Sequence, residues 1–311
     1  MLEERRARAR RLVRRSMLFV PANVPRYVGR AHERGADAVI LDLEDSVPDA
    51  QKAPARIAAR AAYASVGRNG TDVLVRINKP PQLAIPDLDA VVAPGLHGIL
   101  LPKIESAREL ANLDALIAER ERSAGLAANS IGVMLAIESA RGVFALPEIV
   151  AECERVERVF GISYGAEDAT EELGVETTPE GWERFFGNAI AVQAAAAAAI
   201  QPYGRLGSAF EFNDLVEYEA SARRSAAFGF KGSTCIHPAQ VPILNRAFSP
   251  TSEQIERARK VVALMHDALQ SGRASASLDG RMIDTPTLRR AERMLERAAA
   301  TDAKDALRRG A

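Results

Sequence analysis

Seven charged side chains fall at or just after the ends of short apolar runs: Asp42, Glu44, Asp45, Arg76, Lys103, Glu138 and Asp168. Five of them are carboxylates, and carboxylates gathered in one place repel one another unless a cation intervenes. Oxygen ligands without sulfur or clustered imidazole favour Mg²⁺ or Mn²⁺ over zinc. Arg76 and Lys103 add positive charge, and a guanidinium grips a carboxylate through two parallel hydrogen bonds. Lys103 among acids keeps its proton, which argues against an imine-forming role. No Ser-His-Asp order and no nucleophile elbow is present.

Several of these residues also have a plainer reading. Asp42 and Glu44 are equally suited to pairing with Lys103 and ordering loops. His237, just before Pro238, reads either as a base or as a hydrogen-bonding residue of the rim. Arg26 reads either as a phosphate contact or as a solvated side chain. Trp182, Phe185 and Phe186, at helical spacing, read as core. His32, His97 and His266 receive no role.

The elements that must position these groups alternate along the chain. Apolar runs stand at Met17–Val20, Ala38–Leu43, Val73–Ile77, Gly98–Leu101, Ile131–Ile137, Val156–Ile162, Leu206–Phe210 and Gly232–Ile236. Most are continuous rather than alternating, the pattern of strands buried on both faces. Helical stretches lie between them, at Pro25–Arg34, Lys52–Val66, Ala107–Ala118, Leu146–Glu154, Pro179–Ile200 and Leu215–Phe228. Eight β/α units predict a TIM barrel over residues 16–248, in which strand-end residues converge on one mouth. No glycine fingerprint for a dinucleotide and no P-loop is found. Past Phe248 the pattern changes to a helical extension, residues 249–311, capped by Ser249, Thr251 or Ser252. Within it, Ser271–Ser277 reads as a flexible link.

Composition narrows the class. With 41 basic and 41 acidic residues in 311, the chain carries no net charge that would favour nucleic acid or an anionic membrane. No apolar run approaches the roughly 20 residues needed to span a bilayer. Cys153 and Cys235 stand far apart, which suits a reducing cytosol. The first fifteen residues hold seven arginines and no serine, so a solvated helical or frayed tail is expected rather than a transit peptide.

Ordered blocks run nearly the length of the chain. They are Arg15-Ser16-Met17-Leu18-Phe19-Val20-Pro21 with Asn23, Gly35-Ala36-Asp37, Leu41-Asp42-Leu43-Glu44-Asp45, and Val75-Arg76-Ile77-Asn78. Leu101-Pro102-Lys103-Ile104-Glu105, Ile137-Glu138-Ser139, Gly165-Ala166-Glu167-Asp168, Ile236-His237-Pro238 and Asp279–Asp284 follow. The set resembles the HpcH/HpaI aldolases, citrate lyase β subunits (CitE-like proteins) and malyl-CoA lyases. That resemblance implies a Mg²⁺-dependent TIM barrel, usually a homotrimer or hexamer, cleaving hydroxyacyl-CoA thioesters to acetyl-CoA and a 2-oxoacid. It makes Glu138 and Asp168 the metal ligands and Arg76 the group that binds the substrate carboxylate. It makes Asp284, with Asp279 as the alternative, a catalytic carboxylate on a C-terminal lid that closes over a neighbouring subunit. Phe19, Arg26, Ile236 and His237 become substrate contacts, with Asp42, Glu44, Asp45 and Lys103 in support. The aldolase branch has histidine where this chain has Asp45, which favours the thioester branch over a 2-oxoacid aldolase without CoA. A citrate lyase β subunit working inside a complex is the other alternative.

Overall fold

The computed structural model describes residues 2–178, 180–207 and 214–309. Eight parallel strands follow one another around a barrel: β1 (Ser16–Pro21), β2 (Ala38–Asp42), β3 (Asp72–Arg76), β4 (Gly98–Leu101), β5 (Gly132–Ile137), β6 (Val159–Tyr164), β7 (Gln201–Tyr203) and β8 (Ser233–Cys235). Pairing proceeds strand by strand from β1 to β7, and β8 pairs with β1. The remaining seam is joined by two backbone bonds, Lys231 N–H to the Pro202 carbonyl (2.9 Å) and Gly204 N–H to the Gly232 carbonyl (3.0 Å). The fold is the expected TIM barrel.

Alternation along the strands sorts the core into two layers. Leu18, Val20, Val39, Leu41, Val73, Val75, Ile99, Val133 and Leu135 join one cluster with helix residues such as Leu88, Leu110, Ile117 and Ile149. The alternate residues Met17, Ile40, Leu74, Leu100 and Met134 are buried as well and fill the lumen. Two rings occupy its lower part, Phe160 and Tyr203, edge to face at 6.3 Å. Glycines make room for them: a Cβ on Gly132 would stand 2.7 Å from Phe160, and one on Gly161 2.4 Å from Tyr203.

The foot of the barrel is tied by buried ion pairs. Arg15 meets Asp37 at 2.8 Å with both side chains sealed from solvent, and Arg14 meets Asp72 at 2.7 Å. The Arg-rich start is therefore not a solvated tail throughout. Residues Leu2–Arg11 form a helix. From it Arg5 donates to the carbonyls of Cys153, Val156 (3.1 Å) and Val159 (3.0 Å), at the entry to β6.

The seventh strand departs from expectation. Leu206 and Gly207 are not strand, and 208–210 lie outside the described residues. The strand comes earlier, immediately behind the alanine-rich helix Trp182–Ala197. A further helix, Pro81–Val91, was not foreseen, its start being hidden in a Lys-Pro-Pro sequence.

Residues 10–13 and 249–309 form a second compact unit. Its helix Ser252–Gln270 opens on a capping box in which Thr251 Oγ1 accepts from Gln254 N and Gln254 Oε1 accepts from Thr251 N. A hairpin follows, β9 (Ala276–Leu278) and β10 (Arg281–Ile283), then the helix Thr285–Arg309. The last residues of the expected flexible link thus belong to a strand. Asp279 and Gly280, both at positive φ (52° and 73°), make the hairpin turn. Ala258, Val261, Met265, Ile283, Leu288 and Ala291 form this unit's core.

Candidate active site

The lumen periodicity carries straight into the site. Two residues beyond Met17, Ile40 and Leu74 stand Phe19, Asp42 and Arg76, and Glu138 follows Met134 by four. Asp42 and Arg76 are register partners on neighbouring strands. Their side chains lock in a two-pronged ion pair, Nε to Oδ1 at 2.6 Å and Nη2 to Oδ2 at 2.7 Å. Burial alone would raise the Asp42 pKa, but Arg76 outweighs it and the carboxyl lies below the usual range. The Arg76 guanidinium lies over the Phe19 ring at 4.8 Å. Its remaining nitrogen, Nη1, faces Glu44 at 2.8 Å and Asp45 at 3.4 Å.

Lys103 reaches the same mouth from the end of β4. Its Nζ lies 3.0 Å from Glu44, 3.5 Å from Asp45 and 3.4 Å from Asp168. Burial would lower its pKa, yet these carboxylates raise it well above normal, so no neutral amine is at hand for imine chemistry. Asp168 sits on the first turn of the helix Ala166–Glu172 after β6. Of the plainer pairings expected for Asp42 and Glu44, Glu44 does bond Lys103, whereas Asp42 belongs to Arg76.

Glu138 is the exception in this network. Its Oε2 is buried and makes no hydrogen bond among the described residues. Burial, with the charges of Asp168 and Glu44, pushes its pKa up to about 8. Gly165 admits its side chain, since a Cβ there would stand 2.4 Å from Glu138 Cγ. Five carboxylates thus face two cations, a formal excess of three negative charges. An unpartnered, buried carboxylate oxygen beside Asp168 fits a divalent cation chemically. Among the described residues no three His, Cys, Asp or Glu side chains enclose a metal position. A cation held by Glu138 and Asp168 would therefore draw its other ligands from water or substrate.

Sequence reasoning missed the scaffold beneath this cluster. Lys52 is buried and donates to the carbonyls of Leu43 and Glu44, both at 3.0 Å. Asn78 donates to the Leu43 carbonyl and to Asp87, which also binds Arg56 at 2.7 Å. Glu105 accepts from Ser139 (2.8 Å) and from Lys79 (3.0 Å), linking the loops after β3, β4 and β5. Nothing local marks Asp87, because its helix itself went unread.

The remaining candidates lie around or apart from this cluster. His237 caps the turn Pro238–Gln240, its Nδ1 accepting from Ala239 N at 3.2 Å, as in the rim reading. Gln240 accepts from the backbone of Ile236 and His237. Arg26 is exposed and bonds the hydroxyl of Tyr27 at 2.8 Å. Trp182, Phe185 and Phe186 are exposed, not core, Trp182 to 73%. Asp284 belongs to the second unit, where it caps the helix Thr285–Arg309. Thr287 donates to it through Oγ1 at 2.7 Å and through its backbone, and these bonds hold its pKa below the usual range. Asp279, the other candidate acid, meets Arg257 at 3.2 Å.

A TIM barrel whose mouth gathers carboxylates around a guanidinium and an ammonium defines a class of metal-compatible acid-rich enzymes. Residues 15–238 match the family model of HpcH/HpaI aldolase/citrate lyase, and the chain belongs to that family of carbon–carbon lyases. It is 34% identical to citrate lyase subunit beta of Leuconostoc mesenteroides subsp. cremoris, over 94% of this chain and 96% of that one. It is 31% identical to L-malyl-CoA/beta-methylmalyl-CoA lyase of Cereibacter sphaeroides, over 91% and 94%. Among solved structures it resembles CitE of Mycobacterium tuberculosis in complex with magnesium, acetoacetate and coenzyme A. That match has a TM-score of 0.71 and 31% identity, covering 93% of this chain and 99% of the other.

Proposed function

We propose that the protein cleaves a β-hydroxyacyl-CoA, such as malyl-CoA or citramalyl-CoA, to acetyl-CoA and a 2-oxoacid, with Mg²⁺ or Mn²⁺ held by Glu138 and Asp168. The observation that carries this reading is the orphaned, buried Glu138 carboxylate in a mouth short of positive charge. Bound there, the ion would supply Lewis acidity toward the substrate's α-hydroxy-carboxylate. Arg76, fixed by Asp42, shares Nη1 between Glu44 and Asp45 and presents the same guanidinium charge to a substrate carboxylate and to negative charge as it moves. In this cleavage the hydroxyl gives its proton to water at the open mouth, the adjacent carbon–carbon bond breaks as the carbonyl of the 2-oxoacid forms, and the electron pair leaves as the thioester enolate. A carboxylic acid then delivers a proton to that carbon, a role we assign to Asp284. Its present bonds to Thr287 favour the ionised form, so it must first leave Thr287 and take up a proton.

Arg26, Ile236 and His237 are proposed contacts for the CoA arm. Free, buried Cys153 and Cys235 are in keeping with a cytoplasmic setting. Exposed apolar side chains, among them Trp182, Phe186 and Phe144, support assembly as a homotrimer or hexamer. A second reading, a citryl-thioester lyase acting within a complex, is favoured by the 34% identity to a citrate lyase subunit.

The test is a panel of malyl-, β-methylmalyl-, citramalyl- and citryl-CoA thioesters, with a citryl acyl-carrier thioester alongside, each with Mg²⁺ and with EDTA. Release of acetyl-CoA or propionyl-CoA with a 2-oxoacid, abolished by EDTA and by Asp168→Ala, is expected. Cleavage confined to the acyl-carrier substrate selects the second reading, and cleavage that survives EDTA overturns the metal assignment.

A further inference from the structure

Lys103 has a backbone conformation that its position in a loop does not require of a lysine. Its φ of 51° lies in the left-handed region, which non-glycine residues occupy when surrounding structure imposes it, most often at functional sites. Ile104 N donates to the Ala136 carbonyl at 3.2 Å, anchoring the chain as it leaves that position. From there a single ammonium serves carboxylates on two separate segments, Glu44 and Asp45 after β2 and Asp168 after β6. Arg76 holds Glu44 from the other side at 2.8 Å. Four of the five carboxylates of the mouth therefore have a cation as partner: Asp42, Glu44 and Asp45 through hydrogen bonds, Asp168 through the ion pair alone, whereas Glu138 has none among the described residues.

We propose that Lys103 limits the number of protein ligands the metal can take. By donating hydrogen bonds to Glu44 and Asp45 while meeting Asp168 only as an ion pair, it keeps the first two off the ion, so that Glu138 and Asp168 remain the ligand pair and the other positions stay open to water and substrate. The inference rests on the reading of Glu138 and Asp168 as ligands. Its consequence runs against the usual effect of removing a site residue. Without the ammonium, Glu44 and Asp45 gain freedom to reach the ion, and a positive charge that repels it disappears. Affinity for the metal then rises while turnover falls.

Mn²⁺ binding followed by electron paramagnetic resonance, with water-proton relaxation counting the exchangeable waters on the bound ion, tests this. Lys103→Met is expected to bind Mn²⁺ about tenfold more tightly, the order that loss of one neighbouring positive charge at high effective dielectric implies. Fewer waters should remain on the bound ion, and Lys103→Arg should resemble the wild type. Unchanged or weaker affinity in Lys103→Met with an unchanged water count overturns the proposal. Glu44→Gln is the second variant, independent of how well Lys103→Met folds. Its bound Mn²⁺ should keep the wild-type number of exchangeable waters, and one additional water would make Glu44 a ligand and overturn the proposal. Failure of the underlying reading looks different: the wild type binds no Mn²⁺, or Asp168→Ala binds it as tightly.

Discussion

Glu138 shows what burial does to a carboxylate that lacks a partner. Its pKa of about 8 in the metal-free protein lies above the unfolded value, so the folded state holds the extra proton between those limits. Stability from this group is complete below pH 4 to 5 and is lost as pH rises through about 8. Thermal unfolding of the metal-free protein between pH 6 and 9 should show that decline, and Mg²⁺ should restore Tm most strongly at the alkaline end. A Tm equally insensitive to Mg²⁺ at both ends would contradict the assignment. At this scale the sequence was informative about residue types and silent about pairing. Strand-end acids and bases could be read from the apolar runs, and β-period alternation places Asp42 and Arg76 on one face. That Arg76, not Lys103, takes Asp42 follows from inter-strand register, which a single strand does not encode. The opening for Glu138 at Gly165 is a contact between segments more than twenty residues apart, and no local pattern announces it.

Local signals failed at two elements for identifiable reasons. The helix Trp182–Ala197 ends without glycine: Ala199 adopts φ 55°, and Ile200 N returns to the Ala195 carbonyl at 2.9 Å. That is the geometry a glycine would normally mark, so the expected helix ran on to Ile200. The strand behind it has three residues and contains a proline, too short to carry a period of its own. The hairpin β9–β10 had a readable Asp-Gly turn, overlooked because the stretch before it is rich in small residues. The N-terminal segment is the largely exposed helix its composition implies, but the anchoring of Arg5 on backbone carbonyls is a long-range contact that composition does not show. Arg5→Ala removes a charged donor from three carbonyls at the entry to β6. A loss of about 2 kcal/mol, seen as a fall of several degrees in Tm, is expected with kcat unchanged. An equal fall in kcat would show that the foot of the barrel communicates with the mouth.

Over the whole molecule, the fold was legible because eight β/α periods leave few alternatives. The hairpin of the C-terminal unit was not, because its strands have only three residues each. The proton-donor role proposed for Asp284 is separable from capping: Asn caps a helix about as well as Asp, so Asp284→Asn should keep Tm and metal affinity while lowering kcat. A parallel loss of Tm would reduce Asp284 to its capping role.

The central claim is that Glu138 and Asp168 hold the metal, and diffraction from Mn²⁺-soaked crystals reads it directly. An anomalous peak within about 2.2 Å of a carboxylate oxygen of each residue, with Glu44 and Asp45 still turned to Lys103, is the predicted result. A peak ligated by Glu44 or Asp45 instead, or none at the mouth of the barrel, would contradict the account.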